Sequence, residues 1–194
     1  MLKKIVNITL WVLIFCSVAS IAAFAYTISC SGGILSRPLM FTSNNGFMAE
    51  SRWAIDYATR QWNNKTNTTT FMHNPTQTSQ NEYKLDLPDG VNLISRKDMG
   101  YYRGMRMSTV TYVLNSVNKI EEADINVNIH FPFANNGMPQ FYDVQNCLTH
   151  ELGHALGLGH SANTEATMYY SVNLGETKKR DLHTDDLNGY WAIY

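Results

Sequence analysis

The sequence predicts an α+β domain, and three observations carry that prediction. A helix-period segment follows a short apolar strand, β-branched and alternating segments fill the middle of the chain, and two helical segments close it. The order lacks the strand–helix–strand alternation of a doubly wound parallel sheet. The chain has 194 residues, so one domain is expected once a targeting segment is set aside. Hydrophobic residues make up 44%, enough for one packed core and too many for a disordered chain. With 15 Lys+Arg against 16 Asp+Glu, charge provides no argument for a nucleic-acid partner, and none is expected.

Taken in order, the chain opens on MLKKIVNITLWVLIFCSVASIAAFAYT. Lys3 and Lys4 precede an apolar run from Ile5 to Ala25, and Ala23–Ala25 form a small-x-small cleavage pattern. Residues 1–25 are therefore expected to be a secretory signal, with an uncleaved anchor as the alternative because the run is long enough to span a bilayer. Lipid attachment at Cys30 is a third, weaker option, and membrane contact is expected only with an anchor or a lipid. All three readings put the rest of the chain outside the cytoplasm. Residues 26–37 form a short, irregular N-terminal segment, and residues 38–194 form the domain itself.

Within the domain, PLMFT is the first strand. Ala54, Ile55, Ala58 and Trp62 recur at helical spacing and set a helix from Met48 to Trp62, ended by Asn63 and Asn64. A strand is expected around Thr68 to Met72, then a polar surface loop. DGVNLIS is a turn entering a strand, and STVTYVLN a β-branched strand from Ser108 to Asn115. ADINVNIHF alternates, with Ile125, Val127, Ile129 and Phe131 on a buried face and Asp124, Asn126, Asn128 and His130 on the other. FPFANNGMPQF is a loop. A helix follows from Tyr142 to Leu156, and a last one begins at Thr184 as N-cap, with Asp185 and Asp186 complementing its N-terminus.

The chemistry is concentrated in THELGHALGLGHS, Thr149 to Ser161. His150 and His154 are four residues apart, so a helix projects both imidazoles from one face, close enough to share a metal ion. Glu151 completes the H-E-x-x-H arrangement, in which the glutamate acts on a metal-activated water. Gly157 tolerates the left-handed backbone of a sharp reversal, which lets His160 supply a third nitrogen from another direction. Three neutral imidazoles with one open position describe a catalytic zinc site. His73, His130 and His183 lie at no metal spacing and are expected on the surface or in loops.

HELGHALGLGH resembles the H-E-x-x-H-x-x-G-x-x-H motif of the metzincin metalloproteases, and Ser161 after it resembles the matrixin branch, which includes the matrix metalloproteinases. EATMYYS is similar to that family's Met-turn, with Met168 beneath the metal. AIDYATRQW is similar to its first helix, EADINVNI to its central strand and TDDLNGYWAIY to its closing helix. The resemblance runs from Leu39 to Tyr194 and points to a compact, prokaryotic-type member. It implies a twisted mixed sheet of about five strands with a first long helix, an active-site helix and a C-terminal helix.

What the resemblance implies for function is a zinc endopeptidase holding one catalytic ion through His150, His154 and His160. Glu151 serves as general base, while Met168 and Gly157 support the site. Tyr169, Tyr170, Ser171 and Val172 are implied as the wall of the pocket that reads the substrate side chain past the scissile bond. The partner is a protein or peptide bound in extended form, and the enzyme is expected to be a monomer. Two rival readings are a catalytically silent zinc-containing protein-binding module and a zinc hydrolase acting on a non-peptide bond.

The chain also departs from the family. HFPFANNGMPQFYDVQNCLT has no His-x-Asp pattern and no Asp/Gly-rich loop, so no second zinc is expected and calcium is disfavoured. That shortened segment is expected to form the edge strand to which substrate adds. No long inhibitory propeptide is evident before the first strand. Cys30 is left with three fates: a latency thiolate on the zinc, a disulfide with Cys147, or a free thiol.

Overall fold

The computed structural model describes residues 25–47, 49–79, 88–100 and 104–194. The expected signal up to residue 24 and the Met48 start of the first helix lie outside the described residues. The elements run β1 (Leu39–Asn44), α1 (Ala49–Thr66), β2 (Phe71–Thr78), β3 (Asn92–Lys97), β4 (Met107–Leu114), β5 (Lys119–Asn128), β6 (Phe133–Ala134), β7 (Tyr142–Asp143), α2 (Val144–Ala155) and α3 (Thr184–Ile193). Five strands form one sheet in the order β2-β1-β3-β5-β4, parallel except for β4, which runs antiparallel to β5 at one edge. This is the mixed five-stranded α+β architecture expected.

The helical stripe on α1 is core: Ile55, Ala58 and Trp62 are completely buried. The Trp62 indole donates to the Thr149 carbonyl at 2.9 Å, fastening α1 to α2 one residue before His150. Phe41 on β1, Ile94 on β3 and Ile125 on β5 join Leu148 and Leu152 of α2 in the same cluster. The apolar face of α2 thus rests on the sheet, while its histidine-bearing face is turned toward β4.

Several expectations are corrected. Helix α1 continues past Trp62 to Thr66, because the Thr66 hydroxyl donates to the Trp62 carbonyl at 2.7 Å and Asn67, at φ 52°, supplies the left-handed exit. Asn63 does not end the helix; its amide oxygen instead accepts from the main-chain N–H of Thr70 and Phe71. β2 takes in His73–Thr78, read from sequence as loop, because it pairs in parallel with β1. The strand from Lys119 ends at Asn128, so Ile129 is exposed rather than buried.

The polar face of that strand is buried too. Asp124 accepts from Leu93 N–H at 2.8 Å, and Ser95 donates to Asn126 at 2.9 Å. β5 is an interior strand, so its polar positions are covered by neighbours that a period-2 pattern does not reveal. The segment expected as the substrate edge instead forms β6 and β7, a separate two-stranded sheet. The edge beside α2 is β4. At the last helix the N-cap is His183, not Thr184: its ring accepts from Asp185 N–H, and the Asp186 carboxylate accepts from His183 N–H in return.

Candidate active site

Asp143 caps α2 by accepting from Asn146 N–H at 2.9 Å, and Arg180 holds the same carboxylate through two hydrogen bonds. The helix runs to Ala155, and Gly157 turns the chain at φ 96°. A Cβ there would also lie 2.4 Å from the Cys30 carbonyl oxygen, so glycine is required twice over. The turn brings His160 back to the helix. Ligand-capable atoms of His150, His154 and His160 lie within 4.8 Å of one another, and the three ring centroids are 4.8, 4.9 and 5.3 Å apart.

The N-terminal segment, read from sequence as irregular, braces this turn. Ser29 and Cys30 N–H donate to the Gly157 carbonyl, Gly159 N–H donates to Thr27, and the Thr27 hydroxyl donates to the His160 carbonyl at 2.7 Å. Ala162 N–H donates to Ala25, and Ala25 N–H to Asp185. Sequence periodicity carries no signal for a strap of this kind, because its partners lie more than a hundred residues away.

The donor set fits a zinc ion. His150 Nδ1 lies 2.7 Å from the Thr167 carbonyl and His154 Nδ1 lies 2.8 Å from the Leu158 carbonyl. A carbonyl oxygen can only accept, so both Nδ1 atoms carry the proton and both Nε2 lone pairs are left for a cation. Burial lowers the pKa of all three imidazoles, most strongly at His150, which favours the neutral, ligating form.

Met168 is 1% exposed and packs against the helix that carries His150 and His154. Gly153 makes room for it: a Cβ at that position would sit 2.2 Å from the Met168 sulfur. The loop carrying Thr167 and Met168 is held by one carboxylate, since Asp186 accepts from both of their N–H groups at 2.9 Å. The sequence reading had Asp186 only as a helix-terminus charge. Its place as an anchor depends on α3 packing beside the loop.

Glu151 is 7% exposed, and burial pushes its carboxyl up to about 7 against the lowering effect of a hydrogen bond from Thr109. Glu151 and the three histidines line an open cleft of about 470 Å³ with Thr109 and Thr111 of β4, Arg106, Cys147 and Lys179. Of the residues implied as pocket wall, Tyr170 and Val172 line this cleft, whereas Tyr169 and Ser171 do not. Cys30 and Cys147 are both buried and both free thiols, which removes the disulfide alternative. The Cys30 thiol donates to the Asn118 carbonyl at 3.4 Å, outside the histidine group. Burial pushes the Cys147 thiol up to about 12, so it stays protonated in the cleft floor.

The remaining histidines have structural partners. His130 is exposed as expected and pairs with Asp98 at 3.0 Å. His73 is not a surface residue: its side chain is 2% exposed and bonds Asp56 at 2.8 Å, joining β2 to α1.

A family model described as Peptidase_M10: Matrixin matches residues 39–194. Metalloendoproteinase 1-MMP of Arabidopsis thaliana is 48% identical over 52 residues, covering 27% of this chain and 14% of that protein. Matrilysin of Homo sapiens is 44% identical over 46 residues, 24% of this chain and 17% of that protein. Stromelysin-1 of Equus caballus is 51% identical over 47 residues, 23% and 10% respectively. The aligned stretches therefore span less than a fifth of each relative's own length.

Proposed function

This chain belongs to the matrixin family, and from that premise we propose that it is a secreted, monomeric, zinc-dependent endopeptidase that cuts proteins bound in extended form. The observation that carries this reading is the meeting of three imidazoles with one buried glutamate at the floor of an open cleft. His150, His154 and His160 are the residues that would hold one zinc per chain.

A zinc ion bound there supplies a Lewis acid that polarises the scissile carbonyl and acidifies water. Everything else comes from the chain. Glu151 takes the proton as water attacks and passes it to the leaving amine. Thr109 keeps that carboxylate aimed by donating to it at 2.7 Å. β4 is the sheet's edge beside the cleft, so an extended peptide can add along it through main-chain hydrogen bonds. Tyr170 and Val172 wall the pocket for the side chain past the scissile bond.

Secretion rests on residues 1–25, with Lys3, Lys4 and the Ala23–Ala25 cleavage pattern. Among the described residues, no helix is long and apolar enough to cross a membrane. The test is incubation of the purified chain with an unstructured protein, with and without a chelator, alongside metal analysis. Cleavage that chelator abolishes and zinc restores supports the reading. A zinc-loaded chain that cuts nothing supports the silent binding module instead.

A further inference from the structure

The cleft contains a lysine that the proposed reaction does not use. Lys179 sits in the short 3-10 turn Lys178–Arg180 and is 2% exposed, among the largest fully enclosed side chains of the protein. Its main chain is pinned to the start of α2, since Lys179 N–H donates to the Asn146 side chain at 2.7 Å while the neighbouring Arg180 grips Asp143. Its ammonium donates to the Tyr169 carbonyl and lies 6.0 Å from the Tyr169 ring. The side chain lines the same cleft as Cys147, His150 and Val172.

A buried ammonium needs acceptors for three protons and a counter-charge. Among the described residues, the one hydrogen-bond acceptor for this ammonium is the Tyr169 carbonyl oxygen. Glu176 and Glu151 act on Lys179 through space, yet among the described residues neither forms an ion pair with it. The second cation in the cleft wall, Arg106, is stacked over Tyr142 at 4.9 Å, and Glu151 is the sole carboxylate among the described lining residues. The cleft is therefore cationic before any metal is counted.

Resting on the peptidase reading above, we propose that Lys179 determines specificity by selecting substrates with an acidic side chain on the residue past the scissile bond. A carboxylate entering the pocket past Tyr170 and Val172 completes the ammonium's hydrogen bonds and charge. An apolar side chain fills the same space but leaves the ammonium desolvated with no added partner, and a basic one is repelled. The selection works in both directions, which is how a single buried charge discriminates strongly.

The test begins with an unbiased peptide-library cleavage profile, followed by two peptides built on the best-cut sequence that differ only in Glu or Leu past the scissile bond. For the wild-type chain the Glu peptide is expected to exceed the Leu peptide by about tenfold or more in kcat/KM. Lys179→Met, which keeps the length and apolar stem of the side chain, is expected to reverse that order. Wild-type preference for Leu overturns the proposal whether or not the variant folds. A folded, zinc-loaded Lys179→Met that still prefers Glu overturns it as well. Cleavage without the acidic preference leaves the peptidase reading standing, whereas no cleavage of any peptide overturns both.

Discussion

The Thr109 hydroxyl donates to Glu151 Oε2 at 2.7 Å and lies 3.0 Å from Glu151's own carbonyl oxygen, joining the edge strand to the active-site helix at the one carboxylate among the described residues lining the cleft. Thr109 is read as a positioning residue for the proposed base. Thr109→Val keeps the shape and removes the donor, and hydrogen bonds to charged groups are worth about 1.5–3 kcal/mol. The expected result is a kcat lowered about tenfold or more, with KM and zinc content little changed. An unaltered kcat contradicts this role.

Gly153 marks where α2 and the methionine loop touch. A methyl group there would meet the Met168 sulfur at 2.2 Å and the Trp62 ring at 3.1 Å. Gly153→Ala ordinarily favours a helix, but here overpacking should cost roughly 1–3 kcal/mol. Thermal unfolding is expected to show a lower Tm for the variant; an equal or higher Tm refutes the contact.

Asp186 makes a comparable prediction for the metal. It holds the N–H groups of Thr167 and Met168, and the Thr167 carbonyl in turn fixes the His150 ring. Asp186→Ala leaves the buried N–H groups of Thr167 and Met168 unpaired, at a cost of about 1–3 kcal/mol each, and also removes the acceptor of the half-buried His183 N–H. Urea denaturation should show that loss, and competition with a chelator should show zinc held less tightly. Wild-type zinc affinity in the variant would show that the loop needs no such anchor.

Asp124 adds a pH dependence. Burial raises its carboxyl to about 7 from the ordinary 3.8, with Glu122 and Asp89 adding to the rise. The folded chain then binds more protons than the unfolded one between those values, so this group's contribution to stability declines as pH climbs through that window. The three cleft histidines, with lowered pKa values, push in the opposite sense below pH 6.5. Asp124→Asn isolates the carboxyl: relative to wild type, the variant should gain stability as pH rises from 5 to 8. A difference independent of pH refutes the raised carboxyl.

The sequence made the site more legible than its surroundings, and the reason is locality. His150, His154, Gly157 and His160 lie within one turn-and-reversal, so spacing alone predicts their meeting. The helical stripe Ala54, Ile55, Ala58 and Trp62 was legible for the same reason. Asp124 and Asn126 were read as the exposed face of a strand because alternation says nothing about what covers the other side. His73 finds Asp56 only once β2 lies beside α1, and Lys179 enters the cleft only once the last loop folds under α2. The substrate edge was placed in the wrong segment because strand order, not chain order, puts β4 beside the active-site helix. Each of these depends on contacts distant in sequence.

The role proposed for Glu151 is proton transfer beside a zinc that His150, His154 and His160 would hold. Its most direct test is Glu151→Ala, assayed for zinc content and for cleavage of an unstructured protein in the same preparation. The variant is expected to bind one zinc per chain and to show cleavage reduced by a factor of about a hundred or more. A variant that keeps its zinc and cuts as fast as wild type would contradict it.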